Sequence, residues 1–326
     1  ATLVLSGTSL STTYTITITP DGGSTSTVTV TTDSDDTYSD ALTKIKTAID
    51  AESISNLTTT KYKTTLHLSK TAAFNITATG GSDGSSIRVF QDEVTTRADL
   101  PEESFHNHTV KLINSANLDF DDYWNKFVAD DGTSGVGSWQ ETIDPSVSVG
   151  VDSTTVPHEL VKSGTNAFTF QKVTWVNRLV GDDTTVPQPS FIGNKIEESF
   201  YHNRRLGFLS VNTVFLGKTS SKFNLWYDSA QQISDSDPID LEASTIRPVT
   251  LTSVIPTTQG LVLFSRNQQF LMASENGVLT PTTTNISPIS NYEVDSLVDP
   301  VDTGTSINFI SKTPSYTRVH AMQTRG

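Results

Sequence analysis

Residues 11–32 alternate apolar side chains with threonine and serine on both sides of a short Asp-Gly-Gly turn. A period of two residues sends successive side chains to opposite faces, which is the geometry of a half-buried strand. The turn favours a two-stranded hairpin. Only 18% of the residues are charged, against about 25% in average proteins, because hydroxyl side chains supply much of the polarity. Since these side chains favour strands and turns over helices, a mainly β fold is expected.

One amphipathic helix interrupts this pattern. In residues 38–52, YSDALTKIKTAIDAE, apolar side chains recur every three or four positions, and Ser39 or Asp40 is placed to cap the first amide groups. Three strand-like runs follow, at 61–68, 73–79 and 86–90. Residues 1–95 are therefore predicted to form a small α+β module of β-β-α-β-β type, inserted ahead of the rest of the chain.

The remaining sequence is rich in short strands. Residues 96–155 are interpreted as a small β connector, with predicted strands at 109–113, 123–128 and 139–143. Residues 156–326 carry more apolar strands, separated in places by turns about 8–12 residues apart, as antiparallel sandwiches and propellers require. These strands are predicted at 167–170, 198–200, 206–209, 213–216, 249–254, 261–265, 269–273 and 307–310. A third domain over 156–326 is thus expected to be sandwich-like or propeller-like. About three blades would fit into 190–326, short of a closed ring.

Composition excludes several classes of protein. The chain has no cysteine, which rules out disulfides, cysteine-bound zinc, iron–sulfur clusters and a thiol nucleophile. Its formal net charge is -14, with nine basic and 20 acidic residues in 1–150 and 13 and 16 in 151–326. No stripe of lysine and arginine is present to grip phosphates, so tight nucleic-acid binding is not expected. No apolar run is long enough for a membrane span, and no signal peptide is expected at the amino terminus.

Two patterns invite a metal assignment. His106 and His108 would share a face if they lay on a strand, but zinc needs further ligands that are not visible nearby, and a surface loop is the preferred interpretation. Two acidic clusters resemble parts of calcium loops: Asp33, Asp35, Asp36 and Asp40, and then Asp119, Asp121 and Asp122. In the first, the twelfth position is Lys44 instead of a glutamate, so carboxylates at a helix N-terminus explain it better. The second is interpreted as an acidic turn before a strand. We predict no metal and no cofactor.

Carboxylate pairs could support glycoside hydrolysis, which needs two acids about 5–9.5 Å apart. The candidates are Asp182 with Asp183, Glu197 with Glu198, and the group Asp235, Asp237 and Asp240. The chain contains no phosphate-binding loop or dinucleotide fingerprint. A virion-associated glycan-degrading hydrolase is therefore kept only as an alternative. A glycan-binding amino-terminal module is a further alternative, disfavoured because residues 1–100 contain only five aromatic side chains.

Several strings in the second half point to one family. They are PHELV at 157–161, FTF at 168–170, WVNRLVGDD at 175–183, PQPSFIG at 187–193, FYHNRRLGFL at 200–209, FNLW at 223–226, DSDPID at 235–240 and GVLTP at 277–281. In this order, over about residues 105–320, they resemble the tail tubular protein B family, the nozzle proteins of short-tailed podoviruses. The amino-terminal module also resembles an insert of that family in its pattern.

The resemblance implies a structural protein of the virion tail instead of an enzyme. Members of the family form a tapering hexamer below the tail adaptor protein, carry attachment surfaces for tail fibres, and conduct the genome during ejection. The family architecture is mostly β with a propeller-like region. Because its members are much longer than 326 residues, the resemblance also implies that this chain is a fragment. An acidic conduit that DNA passes without tight binding agrees with the charge balance.

The same strings contain candidate structural or interface residues. Arg178 has the planar fork to clamp Asp182 or Asp183, within the chain or across a subunit boundary, beside a tight turn at Gly181. Arg204 and Arg205 could each form a buried ion pair. In 235–240, a proline with fixed φ and acidic side chains able to cap amides predict a rigid turn that enters a strand. The candidates are Arg178, Asp182, Asp183, Arg204, Arg205, Asp235, Asp237, Pro238 and Asp240.

Overall fold

The computed structural model describes residues 1–5, 11–81, 86–113, 122–245, 248–275 and 277–323. The described chain is mainly β and divides into two compact units, residues 1–142 (unit 1) and 143–326 (unit 2). The predicted fold class is confirmed. The predicted three-part division at residues 95 and 155 stays a prediction. Among the described residues, no helix is long and apolar enough to cross a membrane.

Unit 1 contains the amphipathic helix among short strands. In chain order its elements are β1 (Thr2–Leu5), β2 (Thr13–Pro20), β3 (Ser26–Thr31), α1 (Tyr38–Ala51), β4 (Leu57–Tyr62), β5 (Thr65–Lys70), β6 (Phe74–Gly80), β7 (Ile87–Phe90), β8 (Glu93–Val94), a 3₁₀ turn (Arg97–Asp99), β9 (Glu103–Phe105), β10 (Thr109–Leu112), β11 (Tyr123–Ala129) and β12 (Ser134–Thr142). The strands form three sheets, β4-β5-β1-β7, β3-β2-β6 and β8-β10-β11-β12-β9.

The helix packs with the first two sheets into one core. Alternation along β2 buries Tyr14, Ile16 and Ile18 on one face and leaves threonines on the other, as the sequence predicts. The buried face of α1, which includes Leu42 and Ile45, completes this core. Each such side chain contributes about 1.5–3 kcal/mol when removed from water.

Two details of unit 1 differ from the sequence predictions. The helix cap is Thr37, whose side chain accepts a hydrogen bond from the Asp40 amide at 3.2 Å, while the Asp40 carboxylate accepts one from the Thr37 amide at 3.0 Å. Asp40 thus closes a capping box from the third helical position, and neither of the two expected residues, Ser39 or Asp40, is itself the N-cap. The run at 61–68 is not one strand, because Lys63 adopts φ +35° in a turn between β4 and β5.

Unit 2 consists of β strands and long irregular segments. Its strands are β13 (His158–Gly164), β14 (Ala167–Lys172), β15 (Ile196–His202), β16 (Arg205–Ser210), β17 (Thr213–Leu216), β18 (Ile239–Glu242), β19 (Leu251–Thr257), β20 (Gly260–Ser265), β21 (Gln269–Ala273), β22 (Asn285–Ser290), β23 (Val301–Asp302), β24 (Ile307–Lys312) and β25 (Thr317–Met322). They form four antiparallel sheets, the ribbon β13-β14, then β15-β16-β17-β18, β19-β20-β21-β22 and β23-β24-β25.

The last three sheets stack face to face. Leu209 and Val214 of the first four-stranded sheet share a core with Leu263 of the second. On its opposite face, the second sheet packs through Phe264 against Phe309 of the three-stranded sheet. Successive antiparallel sheets of this kind fit the sandwich-like expectation, and the propeller-like alternative stays a prediction.

The irregular segments cover the remaining face of the first four-stranded sheet. Phe208 and Phe215 alternate with the residues of the inter-sheet core and point to the other side. There they pack with Trp175, Phe191 and Trp226, which lie outside the strands. Segments 173–195 and 217–238 cover this face without pairing as strands of the sheet. Their buried backbone N–H and C=O groups therefore need hydrogen-bond partners other than a neighbouring strand.

Candidate functional site

Arg178 is the largest fully buried side chain of the chain's described part, with 1% of its surface exposed. Its Nη1 donates to the Asp183 carboxylate at 2.9 Å and to the carbonyl oxygens of Val186 at 2.7 Å and Asp182 at 3.2 Å. Its Nη2 donates to the carbonyl oxygen of Ser148 at 2.8 Å. The predicted pairing is therefore made with Asp183, within the chain, and backbone carbonyls supply the other acceptors.

Two neighbours fix the position of this guanidinium. The Trp226 ring lies 5.1 Å from the Arg178 Cζ, within the range of a cation–π contact, and its Nε1 donates to the Val176 carbonyl at 2.8 Å. Gly181 adopts φ +74°, and an added Cβ would stand 2.4 Å from a methyl group of Val186. A larger residue could not make this turn without displacing the segment.

Asp182 has a different role from Asp183. Its carboxylate accepts hydrogen bonds from the amides of Thr184 at 2.9 Å and Thr185 at 2.8 Å, and one from the Thr185 hydroxyl at 3.0 Å. The Asp182 side chain thus forms a local turn, in which its carboxylate accepts the amide hydrogen bonds that a backbone carbonyl would accept in an ordinary turn. Asp183, whose side chain is 64% exposed, is the only one of the two that the structure brings to Arg178 through its carboxylate.

Arg205 is as buried as Arg178, with 2% of its surface exposed, but among the described residues it forms no ion pair with a carboxylate. Its Nη1 donates to the carbonyl oxygens of Asp237 at 2.6 Å, Gly217 at 2.9 Å and Ser236 at 3.3 Å. Its Nη2 donates to that of Asp235 at 2.6 Å. The expectation of a buried ion pair at Arg205 is wrong, because the guanidinium bonds instead to backbone carbonyl groups of segment 217–238.

Burial dominates the electrostatics at Arg205. Desolvation lowers the pKa of its guanidinium, and the nearby charge of Asp237 opposes that shift. Arg204, which was also expected to form a buried pair, is exposed in the turn between β15 and β16, with φ +64°. No ion pair involves Arg204 in the described part of the chain.

The DSDPID turn is built as a rigid entry to β18. Asp237 is fully buried, and its carboxylate accepts hydrogen bonds from the Ser234 amide at 2.8 Å and the Asp228 amide at 3.2 Å. Pro238 is buried at the start of the strand. The side chain of Asp235 is exposed, and only its carbonyl takes part, through Arg205.

Asp240 joins this turn to the PQPSFIG segment. Its carboxylate accepts hydrogen bonds from the Ser190 amide at 2.8 Å and the Ser190 hydroxyl at 2.6 Å. Burial raises the pKa of Asp240, while the two bonds from Ser190 act in the opposite direction. The cavity beside it, lined by Val186, Phe215 and Tyr227, measures about 20 Å³. That volume holds about one water molecule and has no room for a sugar ring.

The other carboxylates proposed for hydrolysis also contact the chain itself. Glu197 pairs with Lys195 at 2.7 Å, and Glu198 accepts a hydrogen bond from the Val254 amide at 2.8 Å. Burial raises the pKa of Glu198. None of these arrangements places two unengaged acids around a groove in the described residues.

The histidine pair considered for metal binding is separated by its backbone. Asn107 adopts φ +66° between β9 and β10, so His106 and His108 do not lie on one strand face. His108 is buried, bonds through Nδ1 to the Ser104 hydroxyl at 2.7 Å, and stacks on Phe105. Burial lowers its pKa to about 3. No group of three metal-ligating side chains occurs in the part of the chain that the structure covers.

Carboxylates of both acidic clusters form ion pairs with lysine side chains. Lys44, the residue that breaks the calcium pattern, pairs with two of the four carboxylates of the first cluster, Asp36 at 2.6 Å and Asp33 at 3.2 Å. Asp122 pairs with Lys111 at 2.8 Å. Asp119 and Asp121 lie outside the described residues. The interpretation of the first cluster as a helix N-terminus agrees with the capping box at α1.

Comparison with known proteins adds the identity of the family. The family model described as "Bacteriophage nozzle protein" matches residues 1–326, the whole chain. The chain belongs to this nozzle family. The tail tubular protein gp12 of Escherichia phage T7 is 30% identical to the nozzle chain over 221 residues. The matched part is 68% of the nozzle chain and 27% of that relative, so the chain spans well under half of the relative's length.

The family resemblance predicted from the strings in the second half is thus confirmed. Both comparisons lead to structural proteins of a phage tail, and the nozzle chain is assigned to that class and to the virion tail.

Sequence reasoning missed two features of the nozzle chain. One is the aromatic cluster around His67 and His108, which depends on contacts between two sheets that no local pattern reports. The other is β13, which pairs with the strand predicted at 167–170 to form an exposed ribbon. Part of the ribbon's signal was available, because FTFQK alternates apolar with polar side chains after a short turn, whereas HELVK shows no such alternation.

Proposed function

We propose that the nozzle chain is part of a subunit of the tail tube, and that copies of it surround the path of the genome during ejection. One observation carries this proposal. The buried guanidinium and carboxylate groups of the candidate site bond to the chain's own backbone, so their chemistry holds loops in place. A scaffold needs this arrangement, whereas a catalyst needs polar groups directed at a ligand.

Net charge supports the passage of DNA without adhesion. The chain carries 36 acidic and 22 basic residues. Duplex DNA binds proteins mainly by phosphate neutralisation, which a surplus of carboxylates opposes. An acidic wall would repel the genome at short range and leave it mobile along the tube.

The proposed assembly is a hexamer that meets the tail adaptor protein on one side and supports tail fibres. Closed cyclic association gives every copy the same contacts and leaves a central opening. These partners come from the family resemblance and are proposed for this chain as a portion of a longer subunit.

Electron microscopy of the purified chain, alone and with its adaptor protein, tests the proposal together with a gel-shift assay. We expect six-fold rings with a central hole, and no retardation of linear duplex DNA at 0.15 M salt. Tight retention of DNA would contradict a non-adhesive conduit. Release of reducing sugar from host polysaccharide, abolished by Asp240→Asn, would instead support the hydrolase alternative.

A further inference from the structure

The ribbon of β13 and β14 exposes an apolar face to solvent. Cross-strand pairing sets Leu160 opposite Phe170 and Lys162 opposite Phe168, so these side chains share one face. Leu160, Phe168 and Phe170 are 65%, 60% and 72% exposed. Every residue of β14 is exposed, and the ribbon pairs with no third strand among the described residues.

This face is cationic at its margins. His158 and Lys172 form the next pair along the ribbon, and Lys162 lies at the other end. Glu159 points to the opposite face, where it accepts a hydrogen bond from Gln171 at 2.9 Å. The apolar face therefore combines three aliphatic or aromatic side chains with basic groups and carries no carboxylate.

An isolated two-stranded ribbon is marginally stable in water, and its outer edges offer unpaired backbone groups. Exposed phenylalanines on such a ribbon are typical of the centre of a protein interface. A nucleic-acid duplex would satisfy the lysines but would leave the apolar centre of the face without a matching surface. The chemistry of the face thus favours an apolar, acidic protein surface as its partner.

Residues 293–302, the acidic segment, have that chemistry. Within EVDSLVDPVD, Leu297 and Val301 are 88% and 57% exposed, and Val298 is exposed between them. The segment contains four carboxylates and no basic residue. In the described part of the chain, none of these carboxylates forms an ion pair, and neither do Lys162 and Lys172.

We propose that the ribbon of one copy of this chain docks on the acidic segment of a neighbouring copy. The two surfaces match in polarity and are opposite in charge, and they are different patches of the same chain. Such a contact is head-to-tail, and repeating it closes a ring where the rotation between copies is a whole fraction of a turn. The proposal rests on the proposed function, because it supplies the subunit contact that a tube requires.

Charge exchange between the two surfaces tests the contact. Lys162→Glu/Lys172→Glu sets like charges against the acidic segment and should weaken self-association about tenfold, measured by sedimentation velocity. Glu293→Lys/Asp299→Lys should weaken it to a similar extent. All four changes together should restore it.

A matched control separates the contact from net charge. Lys70→Glu/Lys126→Glu changes two unit 1 lysines that form no ion pair in the described residues and gives the same net charge as the ribbon variant. It should leave self-association unchanged, and it should not rescue Glu293→Lys/Asp299→Lys. Circular dichroism verifies that each variant is folded.

The absence of cysteine allows a second, direct test. A benzophenone attached at Phe170→Cys should cross-link to residues 293–302 of an isotopically labelled second copy. If wild type self-associates but the ribbon variant does so equally, or the cross-links lie elsewhere or on added DNA, the ribbon contact is wrong while the proposed function stands. A wild-type chain that remains monomeric alone and with its adaptor would overturn both.

Discussion

Unit 1 surrounds two histidines with aromatic rings, whereas unit 2 surrounds two arginines with backbone carbonyl groups. In unit 1, His67 and His108 lie 5.4 Å apart between ring centroids, and regular sheets satisfy most of the nearby backbone. In unit 2, Arg178 and Arg205 bond to carbonyl groups of segments that belong to no sheet. The comparison shows how irregular chain can be buried: a guanidinium supplies the donors that a neighbouring strand would otherwise provide.

The buried histidines of unit 1 and the buried arginines of unit 2 should make the two units sensitive to different conditions. A histidine kept neutral by burial is sensitive to acid, while a buried arginine stays ionised across the accessible pH range. We therefore expect substitution at an arginine to be the largest perturbation of unit 2, and acidification to weaken unit 1 first.

The largest effect is expected for Arg205→Met. The variant keeps the length of the side chain but removes the donor from the carbonyl groups of Gly217, Asp235 and Asp237, two of which are buried, at a cost of about 3–5 kcal/mol in the free energy of unfolding. The adjacent Arg204 is exposed, so Arg204→Met should change that free energy by less than about 0.5 kcal/mol. Urea denaturation of both variants measures the difference. Similar values for the two would show that the guanidinium does not hold segment 217–238.

Arg178 sharpens the same comparison, because one of its acceptors is an exposed carboxylate. Arg178→Met should destabilise the chain by about 2–4 kcal/mol through the loss of buried bonds and of the Trp226 contact. Asp183→Asn removes only the solvated partner and should cost less than about 1 kcal/mol. Chemical denaturation followed by tryptophan fluorescence distinguishes them. If Asp183→Asn proved as damaging as Arg178→Met, the ion pair would be the main contribution.

Acidification should weaken unit 1 between pH 6.5 and pH 4. Burial lowers the pKa of His108 to about 3 and that of His67 to about 4. Below pH 6.5 the unfolded chain binds protons that the folded chain rejects, so stability falls as pH falls. His108 accounts for about 3 kcal/mol by pH 4, and the half-buried His67 for less.

Unit 2 should respond less to the same change. Burial raises the pKa of Asp240 and Glu198, so protonation of these carboxylates favours the folded state as pH falls, while the lowered pKa of His202 acts in the opposite sense. Hydrogen exchange followed by mass spectrometry reports each unit separately from pH 7 to pH 4. His108→Phe should flatten the response of unit 1, and an unchanged slope would assign the sensitivity to other groups.

The smallest effect concerns the helix cap of unit 1. Thr37→Ala removes the acceptor for the Asp40 amide and should cost about 1 kcal/mol. Ser39→Ala, at one of the two residues that sequence alone suggests as a cap, should have little effect. Thermal unfolding of the pair tests the assignment, which would be contradicted by a larger loss at Ser39.

Strong local patterns made most of unit 1 predictable. Strict alternation located the hairpin of β2 and β3, and the helical period located α1, since both depend only on neighbouring residues. The run at 61–68 was misjudged because a turn at Lys63 shows no glycine or proline to mark it.

The candidate site was predictable in part. An arginine near two aspartates in WVNRLVGDD suggested a clamp, and the contact with Asp183 is local. The carbonyl acceptors of Arg205 lie 12 to 32 residues away along the chain, and backbone acceptors leave no trace in side-chain identity. The partner of a buried arginine could not be inferred from sequence for that reason.

We propose that this chain acts by assembly, while its buried polar side chains hold its own loops in place. Its absolute mass in solution, measured by light scattering across a dilution series with and without the adaptor protein, tests this most directly. We expect a mass of six copies of the 35.3 kDa chain, formed alone or on the adaptor. The mass of a single chain at every concentration, in the presence of the adaptor as well, would contradict it.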